Sequence, residues 1–210
     1  MPTDLSDAIP CEIQSEPVQH AVAEVSAAIK RRRPKDWRRL CNRVERISWL
    51  PEDDGRTLGQ WCVDREHVAQ LRSDTQQNPG FGADDESEEF LARGWIGLSP
   101  RVTELPPNVL RAVVAHEFGH AGAGFWDVAD REVAFGDREQ ATEMSADLYA
   151  FRWGFGEDIR AAHQWRDLTH HGLLPGDIMC WEGGPSYRVD DDFFPQPYVT
   201  EDDGPELGST

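Results

Sequence analysis

The stretch "HEFGH" places two histidines and a glutamate at a spacing that suits metal chemistry. His116 and His120 are four residues apart, so on a helix they lie on one face, one turn apart, with Glu117 beside them. A catalytic zinc site takes three protein ligands and leaves a position for water. Because Glu117 cannot easily reach the same ion but can touch the bound water, it is the expected general base. The alternative is a buried helix whose histidines bond to backbone groups or to a carboxylate.

The helix that carries this motif is expected to be buried. Over about 107–122 it is apolar on nearly all sides, and Arg111 is its only charge before Glu117. A buried glutamate without a partner is strongly unfavourable unless it is protonated. A bound metal would give both histidines and the glutamate a partner, which favours the metal site over the alternative.

A second predicted helix, about 138–153, offers a third ligand. Glu143 and Asp147 are four residues apart and share a face that borders an apolar stripe. Ala146 and Ala150 flank them and are small enough to let another helix approach closely. Glu143 is the candidate zinc ligand, and Asp147 is the candidate acceptor for the free N–H of a liganding histidine, whose tautomer it would fix. Solvated surface acids are the alternative.

Other sources of a third ligand fit less well. The extended metzincin pattern needs a glycine three residues and a histidine six residues after the second histidine, but Ala123 and Trp126 occupy those positions. The remaining acids lie in or near an acidic loop and lack the helical partner that Glu143 has in Asp147: Asp127, Asp130, Glu132 and Glu139.

"HEFGH" followed by "EMSADLYA" resembles the gluzincin type of zinc metallopeptidase, whose third ligand lies in a downstream helix of form E-x-x-A-D. More narrowly, residues 94–153 are similar to small soluble peptidases of the ImmA/IrrE type. The resemblance implies that Glu117 is the base in peptide-bond hydrolysis and that the substrate is a protein or peptide. It implies three zinc ligands: His116, His120 and Glu143.

The chain as a whole predicts an α+β, zincin-like domain with a small sheet packed on the active-site helix and the second ligand-bearing helix behind it. This single domain is expected over 17–188, with N-terminal helices over 17–50 and a catalytic core over about 57–172. Residues 1–16 are expected to be a flexible N-terminus and 189–210 an acidic C-terminal tail.

Local patterns place the remaining elements. A helix is predicted from near Val18 until Pro34 stops it, and a second over about 35–47. The apolar face of the second is expected to hold Trp37, Leu40, Val44 and Ile47. Strands are predicted at 57–63, weakly, and at 94–99. A helix after a break at Gly154-Phe155-Gly156 is expected to end at Gly172 as its C-cap.

The charge distribution bears on partners. The net charge is −18, yet residues 30–46 hold nine bases and two acids, giving +7. This run is either an electrostatic docking site or a helical face paired with the protein's own acidic surface. The second interpretation is favoured, since the overall charge opposes approach to nucleic acid.

The sequence also bears on location. No secretory signal and no 18-residue apolar stretch are seen, so no membrane partner is expected. The four cysteines are scattered and lack a C-x-x-C pair, which favours reduced thiols and a cytoplasmic protein.

Three questions stay open at this stage. A catalytically weak zincin-fold regulatory or protein-binding module is an alternative to the enzyme, and a helical protein without metal is a third interpretation. The acidic loop 72–89 or the tail 189–210 is a hypothetical cover of the cleft. No spacing selects an oxyanion-stabilising residue among the candidates His163, His170, His171, Tyr149 and Tyr187.

Overall fold

The computed structural model describes residues 8–52, 57–64, 66, 92–123 and 138–168. The helices are α1 (Glu16–Arg32), α2 (Pro34–Arg43), α3 (Pro107–Gly122), α4 (Arg138–Ala150) and α5 (Gly156–Leu168). The strands are β1 (Val44–Trp49), β2 (Gly59–Val63) and β3 (Gly94–Leu98). A 3₁₀ helix, Pro100–Glu104, precedes α3, and a π-helical turn, Phe151–Phe155, joins α4 to α5. The predicted α+β class is confirmed.

Several predictions concern residues that lie outside these ranges. They are the loop 72–89, the tail 189–210 and the cap at Gly172. Within the described part of the chain, no helix combines the length and the apolar composition needed to cross a membrane.

The sheet has three strands, with β3 in the centre, parallel to β1 and antiparallel to β2. Both strands predicted from sequence are therefore present. The outer edge of β1 is covered by the chain before α1, because the Ile47 N–H donates to the Pro10 carbonyl and the Glu12 N–H donates to the Ile47 carbonyl, both at 2.8 Å. Ile13 is fully buried. Within the predicted flexible N-terminus, the backbone of residues 10–12 thus pairs with β1.

The second predicted helix ends earlier than its apolar pattern indicates. α2 stops one residue before Val44, so the helix prediction over 35–47 is wrong in its last part. Val44 pairs with Gly94 and Ile47 pairs with Ile96. The two pairs are three residues apart along β1 but only two residues apart along β3. This irregularity buries both Val44 and Ile47, and the resulting three-residue spacing imitates that of a helix.

Helix α3 is buried along most of its length, as predicted, and packs against α1, α2, α4, α5 and β2. Its approach to α4 is unusually close. A Cβ atom at Gly119 would lie 2.3 Å from the Ala146 carbonyl oxygen, and Ala146 and Ala150 are fully buried. Only glycine fits at this position. The small residues therefore bring the two predicted ligand motifs face to face.

Arginines of the basic run hold the C-terminal end of α3. Arg39 Nη1 donates to the Gly122 carbonyl at 3.0 Å, and Arg43 Nη1 donates to the Ala123 carbonyl at 3.1 Å. Arg43 Nε also donates to the Ala92 carbonyl at 3.3 Å. Burial lowers the pKa of Arg43 to about 10, so it remains a cation at neutral pH. These arginines satisfy carbonyls that a helix end leaves without partners.

Helix α5 is fixed by contacts on two sides. Arg111 of α3 donates to both carboxylate oxygens of Asp158, at 3.0 and 2.9 Å. In the turn before α5, Trp153 Nε1 donates to Asp36 at 2.9 Å, and Arg32 donates to the Trp153 carbonyl at 2.9 Å. The predicted helix break is present at Gly154, where φ is 96°. The result is that α5 lies beside both α3 and α4.

Candidate metal centre

Three of the sequence-predicted residues converge where α3 faces α4. His116 Nε2 lies 2.9 Å from His120 Nε2 and 3.1 Å from Glu143 Oε2. His120 Nε2 lies 3.3 Å from Glu143 Oε1. One ligand atom from each residue falls within 4.8 Å of the others, which is close enough for the three to hold a metal ion.

The spacing of these atoms can be compared with that of a real metal site. Four ligands at about 2.0–2.1 Å around a tetrahedral zinc lie about 3.3 Å from one another. The observed separations are close to that edge length: 2.9 Å between the two imidazole nitrogens, 3.1 Å from His116 to Glu143 Oε2 and 3.3 Å from His120 to Glu143 Oε1. Two imidazoles and one carboxylate also suit several other divalent first-row metals. The residues present therefore fit a metal of this class.

Asp147 lies behind the first histidine. Its Oδ1 is 2.7 Å from His116 Nδ1, and its Oδ2 is 3.0 Å from His163 Nε2 on α5. Burial raises the pKa of the Asp147 carboxyl, but hydrogen bonds from His116 and His163 outweigh burial and hold the pKa well below its usual range. An ionised Asp147 can only accept, so His116 donates Nδ1–H to it, and Nε2 is the nitrogen that faces His120 and Glu143.

The cluster is buried and charged. Relative exposures are 3% for His116, 8% for Glu143 and 4% for Asp147. Burial would lower the pKa of His116, but hydrogen bonds with Asp147 and Glu143 outweigh it and raise the pKa well above the usual value. Burial would raise the pKa of Glu143, but attraction to His120 and hydrogen bonds with both histidines lower it. Two ionised carboxylates thus create a site that favours a cation.

Glu117 is buried beside the cluster but does not join it. Its exposure is 5%, and its Oε2 has no hydrogen-bond partner among the described residues. Burial raises the pKa of Glu117, and this effect exceeds the lowering by His120 and His116. The carboxylate also accepts a hydrogen bond from the backbone of Trp61 in β2. The Glu117 carboxylate is therefore fixed by one hydrogen bond, and its Oε2 is left to accept a proton.

The first residue of β2 lies directly against Glu117. A Cβ atom at Gly59 would fall 2.6 Å from Glu117 Oε1 and 2.8 Å from its Cδ. Only a glycine leaves room for the carboxylate in its present place. The sequence interpretation missed Gly59, although a single glycine inside a strand pattern is a known signal of close approach.

The remaining candidates from sequence are not brought to the ligand atoms. The Tyr149 hydroxyl accepts from Arg39 Nη1 at 3.4 Å, and His163 contacts Asp147. The other oxyanion candidates, His170, His171 and Tyr187, lie outside the described residues. So do the alternative ligands Asp127, Asp130 and Glu132, and the side chain of Glu139.

Comparison with known proteins adds no relative: no protein-family model, no curated protein and no solved structure matches this chain. The function has to be argued from the residues of the site and their geometry.

Proposed function

We propose that this protein is a zinc-dependent peptidase with a zincin-like fold, in which His116, His120 and Glu143 hold the metal and Glu117 is the general base. The observation that carries the proposal is the convergence of two imidazole nitrogens and the two carboxylate oxygens of Glu143 at 2.9 to 3.3 Å. Two histidines with one glutamate form a ligand set known from hydrolytic zinc enzymes. The E-x-x-A-D resemblance points the same way.

A buried helix without metal accounts less well for these contacts. His116 Nε2 and His120 Nε2 face each other at 2.9 Å, so a proton must lie between them if no metal does. His116 also has its other nitrogen committed to Asp147. This supports a metal cation in place of the shared proton.

The chain's own residues would divide the work of hydrolysis. Bound zinc supplies a Lewis acid that polarises a peptide carbonyl and lowers the pKa of a water molecule. Glu117 Oε2 accepts a proton from the attacking water and then donates it to the nitrogen that leaves when the peptide bond breaks. The raised pKa of Glu117 assists this proton transfer. A backbone hydrogen bond from Trp61 fixes this carboxylate, and the missing side chain of Gly59 leaves room for it.

A matched pair of substitutions tests the proposal. Glu117→Gln removes the base, and Glu104→Gln makes the same change at an exposed position on the 3₁₀ helix. Zinc content is measured by elemental analysis, and hydrolysis with a labelled unfolded protein and a degenerate peptide library. We expect both variants to bind zinc like the wild type, with hydrolysis reduced about 10²- to 10⁴-fold in Glu117→Gln alone.

The other outcomes are equally informative. Equal hydrolysis by Glu117→Gln and the wild type would contradict the assigned base. A wild type that binds zinc but cleaves nothing in the library would instead indicate a catalytically weak binding module. Protein that takes up no zinc would contradict the metal site itself.

A further inference from the structure

His163 extends the metal cluster into a third helix. Its Nε2 lies 3.0 Å from Asp147 Oδ2, while Asp147 Oδ1 lies 2.7 Å from His116 Nδ1. The contacts therefore run from α5 through α4 to α3. All three side chains are largely shielded from solvent, since the exposed fractions of the side chains alone are 13%, 6% and 3% for His163, Asp147 and His116. Hydrogen bonds shielded in this way are stronger than exposed ones.

Contacts other than that of His163 also hold α5 in position. The helix is held by the paired hydrogen bonds between Arg111 and Asp158. It is also held by burial of Ile159 and Ala162, which are fully buried. Since Ile159 is one turn before His163, the same face that packs into the core also presents the histidine to Asp147. His163 is thus a polar group placed by contacts other than its own.

We propose that His163 is a positioning residue of the metal centre. It donates Nε2–H to Asp147 Oδ2 and fixes the carboxylate at the rotation in which Oδ1 accepts from His116 Nδ1–H. Rotation about the terminal bond of an aspartate is only loosely restricted by the bond itself, so a second donor has an orientation to fix. The effect at His116 is a settled tautomer whose Nε2 lone pair faces the metal position. This inference rests on the proposed zinc site.

Zinc affinity, measured by chelator competition, tests the inference independently of catalysis. We expect His163→Ala to weaken zinc binding about 10-fold, within the range known for groups that orient metal ligands. His163→Gln, whose amide nitrogen reaches the place of Nε2, should recover most of the affinity. His163→Asn, whose amide is too short, should not. The control is His20→Ala, which removes a histidine whose side chain is 75% exposed on α1.

A double substitution separates positioning from general structure. In an Asp147→Asn background, His163→Ala should cause no further loss of zinc affinity, because His163 acts only through Asp147. If His163→Ala fails to fold, the comparison of Gln with Asn decides, since those two differ only in reach. Thermal unfolding of the zinc-free variants shows which of them are folded.

Four results would overturn the inference or its basis. Three of them would show that His163 does not position the metal centre, without contradicting the zinc site. They are a wild-type zinc affinity in His163→Ala, equal zinc affinities in the Gln and Asn variants, and an equally large loss of zinc affinity on His163→Ala in the Asp147→Asn background. A wild-type protein that binds no zinc would overturn the proposed function and the inference together.

Discussion

Two polar clusters lie against α3, and they satisfy their hydrogen bonds in different ways. At the C-terminal end, Arg39 and Arg43 donate to the backbone carbonyls of Gly122 and Ala123. On the face toward α4, by contrast, possible metal-ligand atoms of His116, His120 and Glu143 are gathered around one point. Beside them, Glu117 Oε2 has no partner among the described residues.

The contrast separates a structural cluster from the proposed metal site. Arginine side chains have only hydrogen-bond donors, and the carbonyls at a helix end are acceptors. The donors and acceptors of the first cluster therefore pair with each other and need no ligand. In the second, the imidazole and carboxylate lone pairs face one another, and a cation satisfies them better than any further side chain. Each cluster contains a buried charged side chain, Arg43 in the first and Glu143 in the second, so buried charge alone does not identify the site.

The largest effect should come from removing a metal ligand. Glu143→Ala and His120→Ala should each weaken zinc binding more than about 100-fold, beyond the range for groups that only orient a ligand. Arg43→Met is the comparison from the other cluster, and it should keep wild-type affinity. Chelator competition measures all three, and near-equal zinc affinities for the ligand variants and Arg43→Met would erase the distinction between the clusters.

The next effect concerns the contact between β2 and Glu117. Gly59→Ala should lower kcat/KM by up to about 100-fold, because the added Cβ displaces the carboxylate and small misplacements of a reacting group are costly. Zinc content should stay that of the wild type. Gln60→Ala, at the exposed neighbour on the same strand, is the control. Unchanged kcat/KM in Gly59→Ala would show that the carboxylate does not need its present position.

In the structural cluster the expected loss is one of stability. Arg43→Met removes charged hydrogen bonds to the Ala92 and Ala123 carbonyls and should lower the free energy of unfolding by about 2 kcal/mol. The methionine retains part of the packing that the arginine makes. Urea unfolding of the zinc-free protein measures the change, and a value near zero would mean that solvent replaces the arginine without cost.

The last effect is a dependence of zinc affinity on pH. Hydrogen bonds with Asp147 and Glu143 overcome burial and raise the pKa of His116, so below that pKa the metal must displace a proton. Zinc affinity should therefore fall as the pH falls, by about tenfold per pH unit for each proton released. Asp147→Asn should flatten this dependence. An affinity that stays constant between pH 6 and pH 8 would be inconsistent with a protonated cluster.

The core of the site could be predicted from local spacing. The four-residue separations of His116 from His120 and of Glu143 from Asp147 are helical, and both stretches are helices in the structure. Ala146 correctly indicated that the two helices approach closely. Each of these features depends on residues within one turn of the same helix, so it can be recognised from the sequence alone.

Features that depend on distant contacts could not be predicted. His163 meets Asp147 only because α5 turns back beside α3 and α4, although its place one turn after the buried Ile159 is a signal that it faces inward. The three-residue spacing of Val44 and Ile47 led to a helix prediction, but it results from an irregularity in the pairing of β1 with β3. In both cases the deciding partner is remote in sequence.

Zinc K-edge X-ray absorption on the purified, zinc-loaded protein tests the central claim most directly, because it reports the ligand atoms. We predict first-shell scattering from nitrogen and oxygen only, at about 2.0–2.2 Å, including the multiple-scattering signature of two imidazoles. A sulfur contribution at about 2.3 Å would place the metal on cysteine and contradict the assignment to His116, His120 and Glu143.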